Sequence, residues 1–142
     1  MILVSACLCG INCKYNGKNN YNEKIFNLVK EGIAIPICPE QLGGLSTPRI
    51  PSEIKNGKVI NKEGIDVTDN FIKGANEVLN LCKKLNINKV ILKSKSPSCG
   101  KGKIYSGNFD GELVNGNGIL TEILLKNNIE VINSDEYWRN KK

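Results

Sequence analysis

Four short aliphatic runs set the architecture of this chain: Ile2 to Ala6, Ile33 to Ile37, Lys89 to Lys93 around Val90-Ile91-Leu92, and Ile129 to Ile132. Segments of helical period lie between them. Residues 22 to 31 carry Ile25, Phe26, Leu28 and Val29 and stop at Gly32, which predicts a short helix. From about Asp66 to Leu85, Phe71, Ile72, Ala75, Val78, Leu79, Cys82 and Leu85 recur at three- and four-residue spacing, which predicts the longest helix, with Asp66 or Thr68 as its N-cap. A further helix is expected at about Gly118 to Asn127. Strands separated by helices require crossover connections, and these imply parallel pairing. The expected fold class is therefore α/β: a three-layer α/β/α Rossmann-like domain with a mostly parallel sheet of about four strands. A small hairpin is added by Ile54, Val59 and Ile60 around Asn56-Gly57, a pair suited to the positive φ angles of a type I′ turn. The whole of 1–142 reads as a single domain, and a chain of that length buries roughly 68–70% of its unfolded surface.

Cysteine usage constrains the chemistry next. The sequence has six cysteines and no histidine, which removes Ser-His-Asp and Cys-His catalysis, imidazole switching and every His-containing zinc site. No basic segment precedes the short opening apolar run, and no stretch approaches the ~20 apolar residues of a membrane span, so a soluble, cytoplasmic protein without membrane association is expected. In a reducing compartment, cysteines outside the core are more often metal ligands or catalysts than disulfides. The formal charge of +6 is spread over scattered lysines, which argues against nucleic acid as the sole partner.

Placed on the strand map, Cys7 follows the first strand, Cys38 the second, and Cys99 lies in the loop after the third. In a parallel sheet these loops share one edge, where open α/β sheets bind ligands, so the three thiols should converge in one crevice. Cys82 falls on the apolar stripe of the long helix and reads as core. Cys9 and Cys13 share the first loop, and Cys13 is the more credible extra ligand or redox neighbour. Zinc would want four cysteines here, whereas an iron-sulfur cluster tolerates ligands dispersed over several loops. Held by three thiolates, a 4Fe-4S cluster leaves one iron open to substrate.

The neighbourhood of these thiols is polar. Glu40 stands two residues from Cys38, a carboxylate near a candidate ligand or a cap of the following turn. Ser96 and Ser98 bracket Cys99 with two hydroxyls, whose ordinary role is turn-forming hydrogen bonding. The stretch from Gly100 to Gly118 holds six of the fourteen glycines together with Tyr105 and Phe109, and forms either a lid or a long hairpin. Gly116 and Gly118, before a helix, are a weak phosphate-loop signal.

Three blocks, Ser5-Ala-Cys-Leu-Cys-Gly-Ile-Asn-Cys-Lys-Tyr-Asn-Gly17, Cys38-Pro-Glu-Gln-Leu-Gly-Gly-Leu-Ser-Thr-Pro-Arg-Ile-Pro51 and Ser96-Pro-Ser-Cys-Gly100, resemble the signature blocks of the thiouracil desulfidase family, in order and across essentially the whole chain. The resemblance implies a 4Fe-4S cluster on Cys7, Cys38 and Cys99, with Cys13 as the alternative to Cys7; Cys9 departs from the family pattern. It implies removal of sulfur from a thiolated uracil, as base, nucleoside or nucleotide, by non-redox substitution with water. Glu40 would move the proton, Ser98 would position substrate or relay that proton, and Ser96 and Arg49 would contact the base or a phosphate. Family members differ in accepting free thiouracil, a thiolated uridine monophosphate or 4-thiouridine in RNA; RNA is not favoured here. A monomer or homodimer is expected. Two other readings stand beside this one: a non-catalytic iron-sulfur sensor, with an exposed cluster and no substrate pocket, and a zinc-stabilised structural domain using four cysteines.

Overall fold

The computed structural model describes residues 1–140, with side chains through Tyr137. Lys141 and Lys142, included in the single-domain expectation, lie outside the described residues. Four parallel strands form the main sheet: β1 (Ile2–Ser5), β2 (Ala34–Ile37), β5 (Lys89–Leu92) and β8 (Glu130–Asn133), in the order β2-β1-β5-β8. Between them in the chain lie α1 (Glu23–Lys30), α2 (Pro39–Leu42), β3 (Ser52–Lys55), β4 (Lys58–Asn61), α3 (Thr68–Leu85), β6 (Lys103–Tyr105), β7 (Leu113–Asn115) and α4 (Ile119–Lys126). Helix α5 (Ser134–Asn140) follows β8. The architecture is the expected α/β arrangement, a mostly parallel sheet between helices with small antiparallel hairpins beside it.

Alternation along the strands produces the layers. Leu3, Val90, Leu92 and Val131 pack on one face with Ala75, Val78, Leu79 and Cys82 of α3 and Leu120 and Leu124 of α4. Val4 and Ile91 turn to the other face and pack with Ala34, Ile25 of α1 and, at the margin, Tyr137 of α5. Each such side chain contributes roughly 1.5–3 kcal/mol on burial. Cys82 is a core residue, as its helical stripe predicted. Pro36 sits in β2, an edge strand, which is where a residue without an N–H can be accommodated.

Local signals explain most element ends. The Asn22 side chain accepts the amide of Lys24 at 2.9 Å and starts α1. At α3 the expected capping is divided: Asp66 Oδ1 accepts the Thr68 amide at 2.9 Å, while the Thr68 hydroxyl accepts the Val59 amide at 2.9 Å and so ties the helix start to β4. Asn56 (φ 52) and Gly57 (φ 77) turn the β3–β4 hairpin as predicted. The segment from Gly100 to Gly118 is a second hairpin, β6–β7. Helices α2 and α5 and a 3-10 turn over Ala6–Cys9 have no helical periodicity long enough to announce them.

The shortest of these, α2, is held against α3 by two glycines. A Cβ on Gly74 would overlap the Pro39 carbonyl, and one on Gly43 would overlap the Asn70 carbonyl. Gly74→Ala should therefore destabilise the fold by about 2–3 kcal/mol through overpacking, well beyond the small gain an alanine gives a helix interior, and should displace Cys38 and Glu40. Denaturant unfolding reads the loss; an unchanged midpoint would contradict this account of the contact.

Candidate active site

The carboxyl ends of β2, β1 and β5 feed the loops that carry Cys38, Cys7 and Cys99, and all three thiols line one cavity of about 450 Å³. Cys13 lines it too, whereas Cys9, though buried, and Cys82 do not. Glu40, Arg49, Ser96 and Ser98 are also in the wall, so these four and the thiols of Cys7, Cys13, Cys38 and Cys99 border the same space.

Backbone geometry fixes each thiol. Cys7 lies in the 3-10 turn immediately after β1, and the Asn20 side-chain amide donates to its sulfur at 3.5 Å. Cys38 directly precedes α2, whose Pro39 occupies the first helical position, where a missing N–H costs nothing. Cys99 belongs to a turn closed by the Ser96 hydroxyl, which accepts the Cys99 amide at 2.7 Å, so Ser96 performs the turn-forming role its sequence context allowed. The Ser5 hydroxyl donates to Cys99 Sγ at 3.4 Å and accepts the Lys93 amide at 2.9 Å, joining the ends of β1 and β5.

The first turn of α4 packs on the Cys99 loop. A Cβ on Gly118 would lie 2.5 Å from the Ser98 carbonyl, and the amides of Ile119 and Leu120 donate to the carbonyls of Pro97 and Ser98 at 2.8 and 2.9 Å. The weak phosphate-loop signal at Gly116 and Gly118 is corrected by these contacts: the helix N-terminus is spent on protein carbonyls, and Gly118 is required for close approach.

Electrostatics sort the thiols. Cys13 sits in hydrogen-bonding contact with both Cys7 and Cys38. Those contacts are the largest cause lowering Cys7 to about 7 and Cys38 to about 6, against the opposing effect of burial. Cys13 itself is pushed far up and keeps its proton. Burial raises Cys99 to about 12 and Cys9 to about 11. The donor set is all soft sulfur, with no imidazole. Among the described residues no group of three or more Cys, Asp or Glu is gathered as a single metal ion would need; the thiols ring the cavity instead.

The carboxylate is held on both sides. Arg49 Nε donates to Glu40 Oε1 at 3.2 Å, with the two side chains only 8% and 17% exposed, and Ser98 donates to Glu40 Oε2 at 2.9 Å. Ser98 Oγ also lies 3.6 Å from Cys99 Sγ. Glu40 thus reaches across from α2 to the Cys99 loop rather than folding back to cap its own turn. The guanidinium of Arg49 is otherwise committed: Nη1 donates to the Ser46 carbonyl and Thr47 Oγ1, and Nη2 to the Cys13 carbonyl at 2.9 Å. Its place in the wall is that of a brace for Glu40 and the Cys13 loop. Asn20, Ser5, Lys93, Glu53 and Tyr15 are also in the lining and were not singled out from the sequence as site residues; Ser5 and Tyr15, inside the first block, and Lys93, at the end of a strand, stood beside a signal that pointed to the site.

Residues 2–136 match the family model described as 2-thiouracil desulfurase. The chain belongs to that family. A [4Fe-4S]-dependent thiouracil desulfidase, TudS, is similar in structure with a TM-score of 0.92 and 40% identity, over 97% of this chain and 93% of that one. Uncharacterized protein YbbK of Bacillus subtilis (strain 168) is 44% identical, over 96% of this chain and 97% of its own length. Membership in this family makes the chain an enzyme of desulfidation. Among the described residues, no helix is long and apolar enough to cross a membrane.

In the reduced, metal-free chain, iodoacetamide at neutral pH should modify Cys38 and Cys7 ahead of Cys9 and Cys99. The thiolate is the nucleophile, so reactivity should rise with pH through about 6 for Cys38 and about 7 for Cys7. Cys13→Ala removes the hydrogen bond that lowers both, and both profiles should move toward 9.0. Peptide mass mapping over the pH series checks the order; equal labelling of Cys99 and Cys38 would contradict it.

Proposed function

We propose that the chain releases sulfide from thiolated uracil, as the base or its nucleoside or nucleotide, by non-redox substitution with water. The observation that carries this reading is the Glu40–Ser98 hydrogen bond in the wall of the thiol-lined cavity. It supplies a proton-handling carboxylate next to a ligand set for iron, and a pocket beside both. A sensor needs no such pocket. The volume falls within the roughly 300–1,000 Å³ range of small-molecule sites. TudS depends on a [4Fe-4S] cluster, and the donors here fit one: Cys7, Cys38 and Cys99 would hold it, with Cys13 as the alternative to Cys7. Such a cluster supplies, when bound, an iron without a protein ligand, a Lewis acid able to polarise the carbon-sulfur bond.

The remaining steps belong to this chain's own side chains. Water adds its oxygen to the ring carbon, sulfur leaves as sulfide, and the ring changes from thiocarbonyl to carbonyl with no change in electron count. Glu40 Oε2 takes the proton of the attacking water, directly or through the Ser98 hydroxyl 2.9 Å away. Arg49 holds Oε1 and keeps the carboxylate turned toward Ser98. Ser96 fixes the turn that places Ser98 and Cys99. Because Glu40 has no histidine partner, this one carboxylate has to serve for both proton uptake and return. A cytoplasmic setting and a monomer or homodimer complete the proposal.

Anaerobic reconstitution with iron and sulfide should give a brown protein with broad absorbance near ~400 nm. It should release sulfide from 2-thiouracil or 4-thiouracil compounds, with a panel of bases, nucleosides and nucleotides fixing the preferred form. Cys99→Ala should abolish activity. Glu40→Gln should lower kcat by about 10²–10⁴-fold while leaving the absorbance in place. A colourless protein carrying stoichiometric zinc would overturn the reading.

A further inference from the structure

Among the described residues, five other than glycine have positive φ: Asn56, Asn86, Lys95, Phe109 and Asn128. Three are asparagines, the residue type that tolerates this region best. The two exceptions, Lys95 at φ 71 and Phe109 at φ 54, both line the cavity. Backbone strain of this kind persists only where the surroundings over-determine it, and it concentrates at ligand sites.

The tip of the β6–β7 hairpin is over-determined in this way. Glu53 Oε1, from β3, accepts the amides of Gly107 at 2.9 Å and Phe109 at 3.1 Å. Gly107 lies so close to β3 that a Cβ on it would stand 2.6 Å from the Ile54 carbonyl oxygen. Lys55 Nζ donates to Asn108 Oδ1 at 2.9 Å, and Asp110 Oδ1 accepts the Ser106 hydroxyl at 2.8 Å and the Glu112 amide at 3.0 Å. A solvent-facing turn needs no ties from a neighbouring hairpin such as those from Glu53 and Lys55. Here they hold a half-buried aromatic residue at the cavity, whose wall also carries the thiols and Glu40.

We propose that Phe109 is the stacking wall for the pyrimidine ring of the substrate and that Glu53 is the positioning residue that holds it in place. The proposal rests on the desulfidase reading for the identity of the ring, and adds the residues that recognise that ring apart from its sulfur. Phe109 offers a π-face to any pyrimidine. Glu53 acts through two backbone amides and needs only an acceptor oxygen.

The test uses reconstituted protein and two readouts: calorimetric binding of uracil, which has the ring but no sulfur to react, and kcat and KM for 2-thiouracil. Phe109→Asn removes the aromatic ring while placing at positive φ a residue that accepts it, so the variant should be at least as stable as the parent. Uracil binding should weaken about tenfold and KM should rise about tenfold, with kcat within about twofold. Glu53→Ala should behave similarly, and Glu53→Gln, which keeps an acceptor oxygen for both amides, should restore binding and KM. Unchanged uracil binding in Phe109→Asn would overturn the stacking role. A kcat loss in Glu53→Gln as large as that in Glu40→Gln would overturn the positioning role, since Glu53 would then be moving a proton. A parent protein that binds uracil through Phe109 but releases no sulfide would sink the desulfidase reading and leave the stacking wall standing. One that does neither would overturn both.

Discussion

Parallel pairing of β1 with β2 on one side and β5 on the other is the constraint from which the site follows. The register sets Ser5 opposite Ile37 and Leu3 opposite Val90, so the three strands run out at one edge. Cys7 is two residues beyond Ser5, and Cys38 is one beyond Ile37. A slip of two residues would preserve which side chains face the core, yet it would carry Cys38 along the strand by about 6.6 Å relative to Cys7. No loop adjustment of a turn this short could recover a shared ligand site. The hydrophobic pattern of the strands therefore specifies face, while the ties between strand ends, such as Ser5 with Lys93 and Cys99, help specify the exact register on which the thiols depend.

The second requirement is close approach of backbone to backbone. Helix α2 is only four residues long and would not hold its place by its own hydrogen bonds. It is fixed because Gly43 and Gly74 let it lie directly on α3, and this contact carries Cys38 and Glu40 together. Gly118 does the corresponding work for the Cys99 loop, where the first amides of α4 satisfy the carbonyls of Pro97 and Ser98. Two faces of the site thus hang on the core helices α3 and α4 through glycine contacts. The stability of the core is transmitted to the geometry of the thiols and the carboxylate through these contacts, and Cys99 and Cys13 are themselves buried with the core side chains.

How much of this was legible from the residues depends on the range of the interaction that decides each part. The four strands, the helices α1, α3 and α4 and the β3–β4 turn follow from local periodicity and from turn or cap chemistry, and they are where the sequence places them to within a residue or two. The convergence of Cys7, Cys38 and Cys99 was legible because parallel topology converts sequence position after a strand into spatial position at an edge. The packing function of Gly74 was not legible, because a single glycine in a helical run has no local partner; its partner, Pro39, is brought in by the fold. The same holds for Glu53, which acts through amides more than fifty positions away. Phe109 could be noticed among glycines, but only the backbone angle shows that it is held against its own preference. Arg49 was expected to contact the substrate; what the loop pattern could not announce is that its hydrogen bonds go to Glu40, Ser46, Thr47 and Cys13.

That use of Arg49 bears on how a site without histidine works at all. A carboxylate in the wall of a cavity has several lone pairs to satisfy, and if both oxygens were free to choose partners its orientation there would be lost. Arg49 fixes one oxygen and Ser98 the other, so the side chain has a single productive pose. A lysine could neutralise the same charge but not do this, since its ammonium is a point donor without a planar fork. Here Nε holds Glu40 while Nη1 and Nη2 hold the carbonyls of Ser46 and Cys13. The guanidinium therefore ties the carboxylate loop to the loop that carries Cys13, whose contact lowers both Cys7 and Cys38. The carboxylate and the Cys13 loop are mechanically one unit, and a displacement of either loop reaches the other through a single side chain.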